Sequence, residues 1–158
     1  MSARFDLSEA SPEGYAAMLN LNAKVHAGGL DQALVELVKI RVSQLNGCAF
    51  CLDMHVGLAR KLGVEHQRLH LLATWHDAAC FSAIERAALD WAETLTRLPG
   101  GSVSDDAYQR IRAHFELADM ATLTLAIVEI NAWNRLMMAA RRPPLSSARA
   151  EPEIDKKA

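Results

Sequence analysis

Apolar residues recur at helical spacing along most of this chain. Between Asp31 and Leu45, leucine, isoleucine and valine stand three or four positions apart behind an acidic start. This period indicates an amphipathic helix. An earlier helix begins at Ser11-Pro12-Glu13, because serine caps helices and proline fits the first helical turn. No segment alternates as a half-buried strand does, so we predict an all-α protein.

Glycine-containing turns divide the first half of the pattern. Gly28-Gly29 ends the first long helix, and Asn46-Gly47 ends the second, since both residue types tolerate a left-handed backbone. A new helix begins near Cys48 and continues to about Leu62-Gly63. Two helices joined by so tight a turn should form an antiparallel hairpin.

The second half predicts further helices of unequal length. Residues 65–80 have a weaker period and predict short helical pieces, whereas Ser82–Leu98 predicts a full helix that ends at Pro99. Ser104 caps the next helix. The stretch from 117 to 140 is apolar almost all round, which predicts a central buried helix.

The whole pattern predicts one domain of six or seven helices. The chain has 158 residues, of which 51% are apolar, enough for a core of ordinary size. We place this helical domain at residues 1–144, and the polar composition of residues 145–158 predicts a flexible tail.

Charge and targeting signals narrow the function classes. The formal net charge is −2, with basic residues scattered along the chain, so nucleic acid is not an expected partner. The N-terminus lacks a secretory pattern and no apolar run is long enough to span a bilayer. We therefore predict a cytoplasmic protein without a membrane role. In that compartment a close cysteine pair indicates redox or metal chemistry.

The stretch NGCAFCLDMH holds the candidate chemistry. On a helix that begins at Cys48, the side chains of Cys48, Cys51 and His55 share one face. The helix N-terminus favours a thiolate, the nucleophilic form of cysteine, and His55 is placed to take its proton.

Glu36 is the predicted partner of His55. It lies about 15 Å of helix rise before the turn, while His55 lies about 12 Å beyond it, so an antiparallel hairpin brings the two to similar levels. A carboxylate at that place would orient the imidazole, as in nucleophile, base and orienter triads.

These residues resemble a known family. Glu36, eleven intervening residues and then Cys48-x-x-Cys51-x-x-x-His55 are similar to the alkylhydroperoxidase AhpD-like core of the carboxymuconolactone decarboxylase superfamily. The likeness to its single-domain members extends over about residues 14 to 144, in the segments LVKIRVSQLNGCAFCLDMH, ERAALDWAETLTRLPGGSVSD and LTLAIVEINAWNRLMMAARRPP.

The resemblance implies a fold, an assembly and an activity. Members are all-α, assemble as trimers or hexamers, and reduce hydroperoxides without a cofactor. Cys51 would be the peroxidatic cysteine that becomes a sulfenic acid, and Cys48 would resolve it to a disulfide. His55 and Glu36 would relay protons. An external dithiol, such as a lipoyl group on a partner protein, would restore the thiols.

One position departs from the family pattern. The best-known peroxidase of the family has a further histidine immediately before its second cysteine, and this chain has Phe50 there. An apolar ring thus replaces a proton-handling group beside the nucleophile. The cysteine pair still indicates the redox branch, since the decarboxylase branch lacks it, but the substrate is left open between a hydroperoxide and a disulfide.

Three other interpretations of the cysteines remain open. The pair and His55 could bind zinc with a fourth ligand, although no second paired-ligand motif follows, and we predict no metal. Glu36 and His55 could serve a decarboxylase-like lyase with incidental thiols. The protein could also be a non-catalytic module, redox-responsive or zinc-bound, or one with inert buried thiols. The candidates for a fourth zinc ligand are Cys80, His70 and His76.

The remaining candidates receive structural interpretations. Cys80 is expected to be a buried small apolar residue, and His66 and His70 to share a solvated helix face. Asp90 and Glu93 are predicted surface acids. On the last helix, Glu129 is left ambiguous. The apolar residues Trp133, Met137 and Met138 are assigned to the core or a subunit interface. The polar residues Asn131, Asn134 and Arg135 are assigned to capping neighbouring helix ends or lining an interface.

Overall fold

The computed structural model describes residues 2–146, and within them the chain forms only helices and their connections. Residues 147–158, which hold most of the predicted polar tail, lie outside the described residues. The helices are α1 (Leu7–Ala10), α2 (Pro12–His26), α3 (Gln32–Asn46), α4 (Ala49–Lys61), α5 (His66–Leu71), α6 (Ala83–Arg97), α7 (Asp105–Arg112) and α8 (Leu117–Ala140), with 3₁₀ turns at Leu72–Thr74 and Pro99–Gly101.

The all-α prediction is confirmed, and the described residues contain one helix more than the upper predicted number. The additional element is α1, a single turn whose N-terminus is capped by the Asp6 side chain. Four residues are too few to display a helical period, so the sequence pattern could not reveal it. No helix within residues 2–146 is long and apolar enough to cross a membrane.

Helix α3 is the most buried element of the fold. All residues from 34 to 43 are buried, and the helix packs against α4, α6 and α8. The prediction of a central buried helix at 117–140 was wrong, because Leu117, Leu125 and Val128 of α8 are exposed. A stretch that is apolar almost all round does not show which of its sides meets the core. The charged residues of α3 are buried, so its sequence did not indicate a central position.

The turn between α3 and α4 has the predicted left-handed geometry. Gly47 adopts a φ of 73° and closes α3, and Cys48 is the N-cap of α4. The Asn46 amide donates to the side-chain oxygens of Asn131 and Asn134 on α8 at 3.0 and 2.9 Å. The two asparagines of α8 thus hold the end of α3, as predicted. They bind the Asn46 side chain, and not the unpaired backbone carbonyl groups at the end of the helix.

Glu93 was wrongly predicted as a surface acid. It is 7% exposed and accepts hydrogen bonds from Arg41 Nε and Trp75 Nε1, each at 2.8 Å. Arg97 contacts its other oxygen at 2.7 Å. Arg41 and Trp75 are remote in sequence from Glu93, so helical spacing alone could not indicate the network.

Cys80 was also wrongly predicted, because its side chain is exposed. It lies in the loop before α6, where its neighbours Ala78 and Phe81 occupy the buried positions. His66 and His70 are exposed on α5, as expected of a solvated face.

Candidate active site

Glu36 and His55 meet across the α3–α4 hairpin. Glu36 Oε2 lies 2.7 Å from His55 Nδ1, and the two residues are 2% and 5% exposed. A carboxylate only accepts hydrogen bonds, so Nδ1 carries the proton and Nε2 is left for a second partner. This contact is the one that the helix-rise argument predicts.

The two cysteines stand at the start of α4. A disulfide joins Cys48 to Cys51 with a Cα–Cα distance of 5.4 Å, within the usual range for disulfides. The backbone N–H of Cys51 donates to Cys48 Sγ at 3.3 Å. Cys51 therefore lies in the first turn, where the helix dipole stabilises a thiolate, and His55 lies one turn further on the same face.

Cys51 faces a cavity of about 310 Å³, a volume that suits a small organic ligand. Glu36 and His55 line it with Cys51. Its walls come from the N-terminal segment and from α2, α3, α4 and α8. The apolar side chains on these walls include Phe5, Leu19, Phe50, Met54, Ile130 and Trp133.

Cys48 faces a different opening. A second, more open groove of about 560 Å³ lies between residues 47–50 and the segment 141–144 that follows α8. Phe50 and Met137 line both this groove and the cavity. Cys51 thus lines the cavity and Cys48 lines the adjoining groove.

Two apolar residues of α8 have a second role. Trp133 and Met137 pack against the core, as predicted, and also line the cavity. The Trp133 indole packs edge-on against Tyr15 of α2, with ring centroids 5.6 Å apart. The helical spacing placed both side chains on one face of α8. It could not show that a cavity lies between this face and α2.

The cavity also holds a buried ion pair that sequence reasoning missed. Lys39 Nζ lies 3.0 Å from Glu129 Oε2, and each residue is 1% exposed. Lys39 also donates to Asn22 Oδ1 at 2.9 Å. Lys39 follows Glu36 by three positions and so shares its helix face, a signal that could have drawn attention to it.

The candidates for a fourth zinc ligand lie away from both openings. His76 stacks on Trp75 and is 3.9 Å from the Glu93 carboxylate, whereas His70 is exposed beside His66. Cys80 is exposed in its loop. Among residues 2–146, no group of three or more histidine, cysteine and acidic side chains is arranged to hold a metal ion.

Known proteins resemble this chain in sequence. The sequence profile of the carboxymuconolactone decarboxylase family matches residues 12–94, a range that contains Glu36, both paired cysteines and His55. The uncharacterized protein YdfG of Bacillus subtilis is 40% identical over 139 residues, which cover 88% of this chain and 95% of YdfG.

Solved structures agree on the fold. The protein ATU0492 of Agrobacterium tumefaciens, of unknown function and suggested to be the antioxidant defence protein AhpD, is 36% identical with a TM-score of 0.87, covering 90% of this chain and 98% of that chain. An uncharacterized peroxidase-related protein of Ralstonia eutropha with an alkylhydroperoxidase AhpD core is 19% identical with a TM-score of 0.79, covering 89% and 75%. At that identity the second likeness concerns the fold alone.

Proposed function

This chain belongs to the carboxymuconolactone decarboxylase family, with an AhpD-like helical fold, and we propose that it is a thiol-dependent peroxidase. The observation that carries the proposal is the buried 2.7 Å contact between Glu36 and His55, one helical turn from Cys51 in the same cavity. Family membership supports peroxidase-related or decarboxylase-like chemistry, and the cysteine pair favours the former.

The oxidation step takes place at Cys51. His55 removes the thiol proton, and the Glu36 carboxylate stabilises the resulting imidazolium. The thiolate forms a bond to the terminal oxygen of the hydroperoxide as the O–O bond breaks. The products are a sulfenic acid on Cys51 and an alkoxide, which takes up a proton to become the alcohol.

The resolving step uses Cys48. Its thiolate attacks the sulfur of the sulfenic acid, hydroxide leaves and becomes water, and the Cys48–Cys51 disulfide forms. The same disulfide joins these residues in the structure. An external dithiol then reduces it by two thiol–disulfide exchanges and is itself oxidised to a disulfide. The groove lined by Cys48 supports an approach of the dithiol by a route other than the Cys51 cavity.

We also propose that the substrates are organic hydroperoxides and that a lipoyl-bearing protein supplies the dithiol. The chain would assemble as a homotrimer or hexamer and work in the cytoplasm. Phe50 lines both openings and cannot transfer protons, so the proposal assigns proton transfer at Cys51 to His55 and Glu36.

Trapping of the sulfenic acid tests the proposal. Pre-reduced Cys48→Ser protein, treated with cumene hydroperoxide and then dimedone, should carry one dimedone adduct per chain at Cys51, detected by mass spectrometry of peptides. Cys80 is an exposed free thiol, so Cys80→Ser in the same background controls for adventitious oxidation and should retain the adduct. An adduct at Cys80 alone would contradict the assignment.

A lyase is the second candidate, because the Glu36–His55 pair is complete without the thiols and the family includes decarboxylases. Carboxymuconolactone decarboxylation that persists in the Cys48→Ser/Cys51→Ser double variant would select the lyase. Loss of hydroperoxide consumption in that variant, without lyase activity in the wild type, would select the peroxidase.

A further inference from the structure

A second pair of charged side chains lies in the Cys51 cavity, and the proposed proton relay does not use it. The pair consists of Lys39 on α3 and Glu129 on α8, with 3.0 Å between Nζ and Oε2. Asn22 accepts a hydrogen bond from Lys39 at 2.9 Å. Trp133 Nε1 donates to Glu129 Oε1 at 3.0 Å. All four residues line the cavity together with Cys51.

A purely structural role explains this pair poorly. Removing two charges from water costs several kcal/mol per ion, and well-packed apolar residues in place of a buried pair are often equally stable or more so. Helices α3 and α8 already pack against each other, and each contributes apolar residues, such as Val38 and Ile127, to the same core cluster. A costly pair that faces a ligand-sized cavity is a candidate for function.

The pair retains unused hydrogen-bonding capacity, and both of its residues line the cavity. Glu129 Oε2 has no aligned hydrogen bond within residues 2–146, so its contact with Lys39 is one of charge. An ammonium group has three donors, of which the Lys39 group directs one to Asn22 and one toward Glu129. One acceptor and one donor are thus available side by side.

Resting on the proposed peroxidase function, we propose that Lys39 and Glu129 bind the two oxygens of the hydroperoxide. Glu129 Oε2 accepts the hydrogen of the terminal O–H group, which orients that oxygen toward Cys51. Lys39 Nζ lies against the inner oxygen, the one that leaves. Developing negative charge on that oxygen is stabilised by the ammonium group, as in other preorganised sites for oxyanions.

Atoms and electrons balance in this step. Sulfur bonds to the terminal oxygen, which keeps its hydrogen and becomes the hydroxyl of the sulfenic acid. The electrons of the O–O bond move to the inner oxygen, which takes a proton from the Lys39 ammonium and leaves as the alcohol. Solvent then returns a proton to Lys39. The two-electron oxidation of Cys51 matches the two-electron reduction of the peroxide.

The basicity of the leaving group provides a specific test. Cumene hydroperoxide expels a strongly basic alkoxide that needs the ammonium group, whereas peroxybenzoic acid expels benzoate, a weak base that does not. In pre-reduced Lys39→Met, we expect the rate of Cys51 oxidation by cumene hydroperoxide to fall about 100-fold. The rate with peroxybenzoic acid should fall by less than about threefold, as expected where little charge needs stabilising.

Two further variants protect the test against folding defects. Lys39→Met leaves Glu129 as a buried unpaired charge, which is destabilising, so Lys39→Met/Glu129→Met removes both charges at similar volume. This double variant should fold and show the same selective loss with cumene hydroperoxide. Lys61→Met changes an exposed lysine at the end of α4 and should react like the wild type with both oxidants.

The outcomes distinguish failure of the hydroperoxide subsite, formed by Lys39 and Glu129, from failure of the proposed peroxidase function. Equal losses with both oxidants, or none with either, would overturn the subsite while the peroxidase assignment stands. A wild type that reacts with neither oxidant would overturn the peroxidase assignment and the subsite with it. Failure of both Lys39 variants to fold would assign the pair to stability and likewise overturn the subsite.

Discussion

His55 donates its Nδ1–H to Glu36 Oε2 at 2.7 Å from the opposite helix of the α3–α4 hairpin. The contact is buried from solvent, so the charge of the carboxylate acts on the imidazole with little screening. It fixes which ring nitrogen carries the proton and leaves Nε2 for a second partner.

Loss of the Glu36 charge should slow thiol oxidation. Glu36→Gln keeps a hydrogen-bond acceptor but cannot stabilise the imidazolium, and we expect the oxidation rate of Cys51 by cumene hydroperoxide to fall about 100-fold. Stopped-flow measurement on pre-reduced protein gives this rate. Glu9→Gln, which neutralises an exposed acid of α1, serves as the control. An unchanged rate in Glu36→Gln would remove Glu36 from the relay.

The Glu93 network should make stability depend on acid pH. Burial by itself would raise the pKa of Glu93, but hydrogen bonds from Trp75 and Arg41, with the charges of Arg41 and Arg97, lower it below its ordinary value. A carboxyl group whose pKa is lower in the folded protein than in the unfolded chain stabilises the fold at pH values above the unfolded pKa. That contribution is lost as the pH falls through the folded pKa.

Substitution of Glu93 tests this dependence. Glu93→Gln leaves Arg41 without a buried counter-charge, and we expect a loss of about 3 kcal/mol in the free energy of unfolding at pH 7. Urea denaturation at pH 7 and at pH 3.5 measures the difference between the two proteins. The difference should shrink at the lower pH, and one that is constant across this range would refute the electrostatic account.

Two glycines form a matched pair for the hairpin. Gly47 has a φ of 73° and open space where a Cβ would stand, so Gly47→Ala adds only backbone strain and should destabilise by about 1 kcal/mol. Gly57 lies inside α4 with equally open surroundings, and Gly57→Ala should stabilise by about 0.7 kcal/mol. Thermal or urea unfolding checks both signs. A stabilising Gly47→Ala would contradict the left-handed turn.

Phe50 should limit proton transfer beside Cys51. Phe50→His introduces an imidazole where both openings meet, and we expect a rise of about tenfold in Cys51 oxidation by cumene hydroperoxide. Phe50→Leu keeps an apolar side chain but also removes the phenyl ring. It therefore separates the effect of the added imidazole from the effect of the volume that the ring leaves. Equal rates in the two variants would show that proton transfer at this position does not limit the reaction.

Local rules were sufficient to predict the hairpin that brings Glu36 and His55 together. The Asn46-Gly47 turn follows from backbone preferences, and the meeting of Glu36 with His55 follows from the rise of two antiparallel helices. Both arguments need only residues within one hairpin. The fold class was equally accessible, because most of the long helices show an apolar period and no segment alternates as a strand does.

Contacts between remote elements could not be predicted in this way. Lys39 pairs with Glu129 only because α8 packs across α3, and nothing near Lys39 in sequence indicates that partner. The exposed side of α8 and the exposed Cys80 were misjudged for the same reason. Burial is a property of the assembled fold, whereas composition and period describe one segment at a time.

The central claim is that Cys51 is oxidised by a hydroperoxide and Cys48 resolves it. Its most direct measurement is the number of free thiols per chain before and after one equivalent of cumene hydroperoxide. The chain has three cysteines, so the reduced wild type should pass from three free thiols to one. Cys51→Ser should keep both of its thiols, and Cys80→Ser should lose both. Loss of two thiols in Cys51→Ser at the wild-type rate, or none in the wild type, would contradict the account.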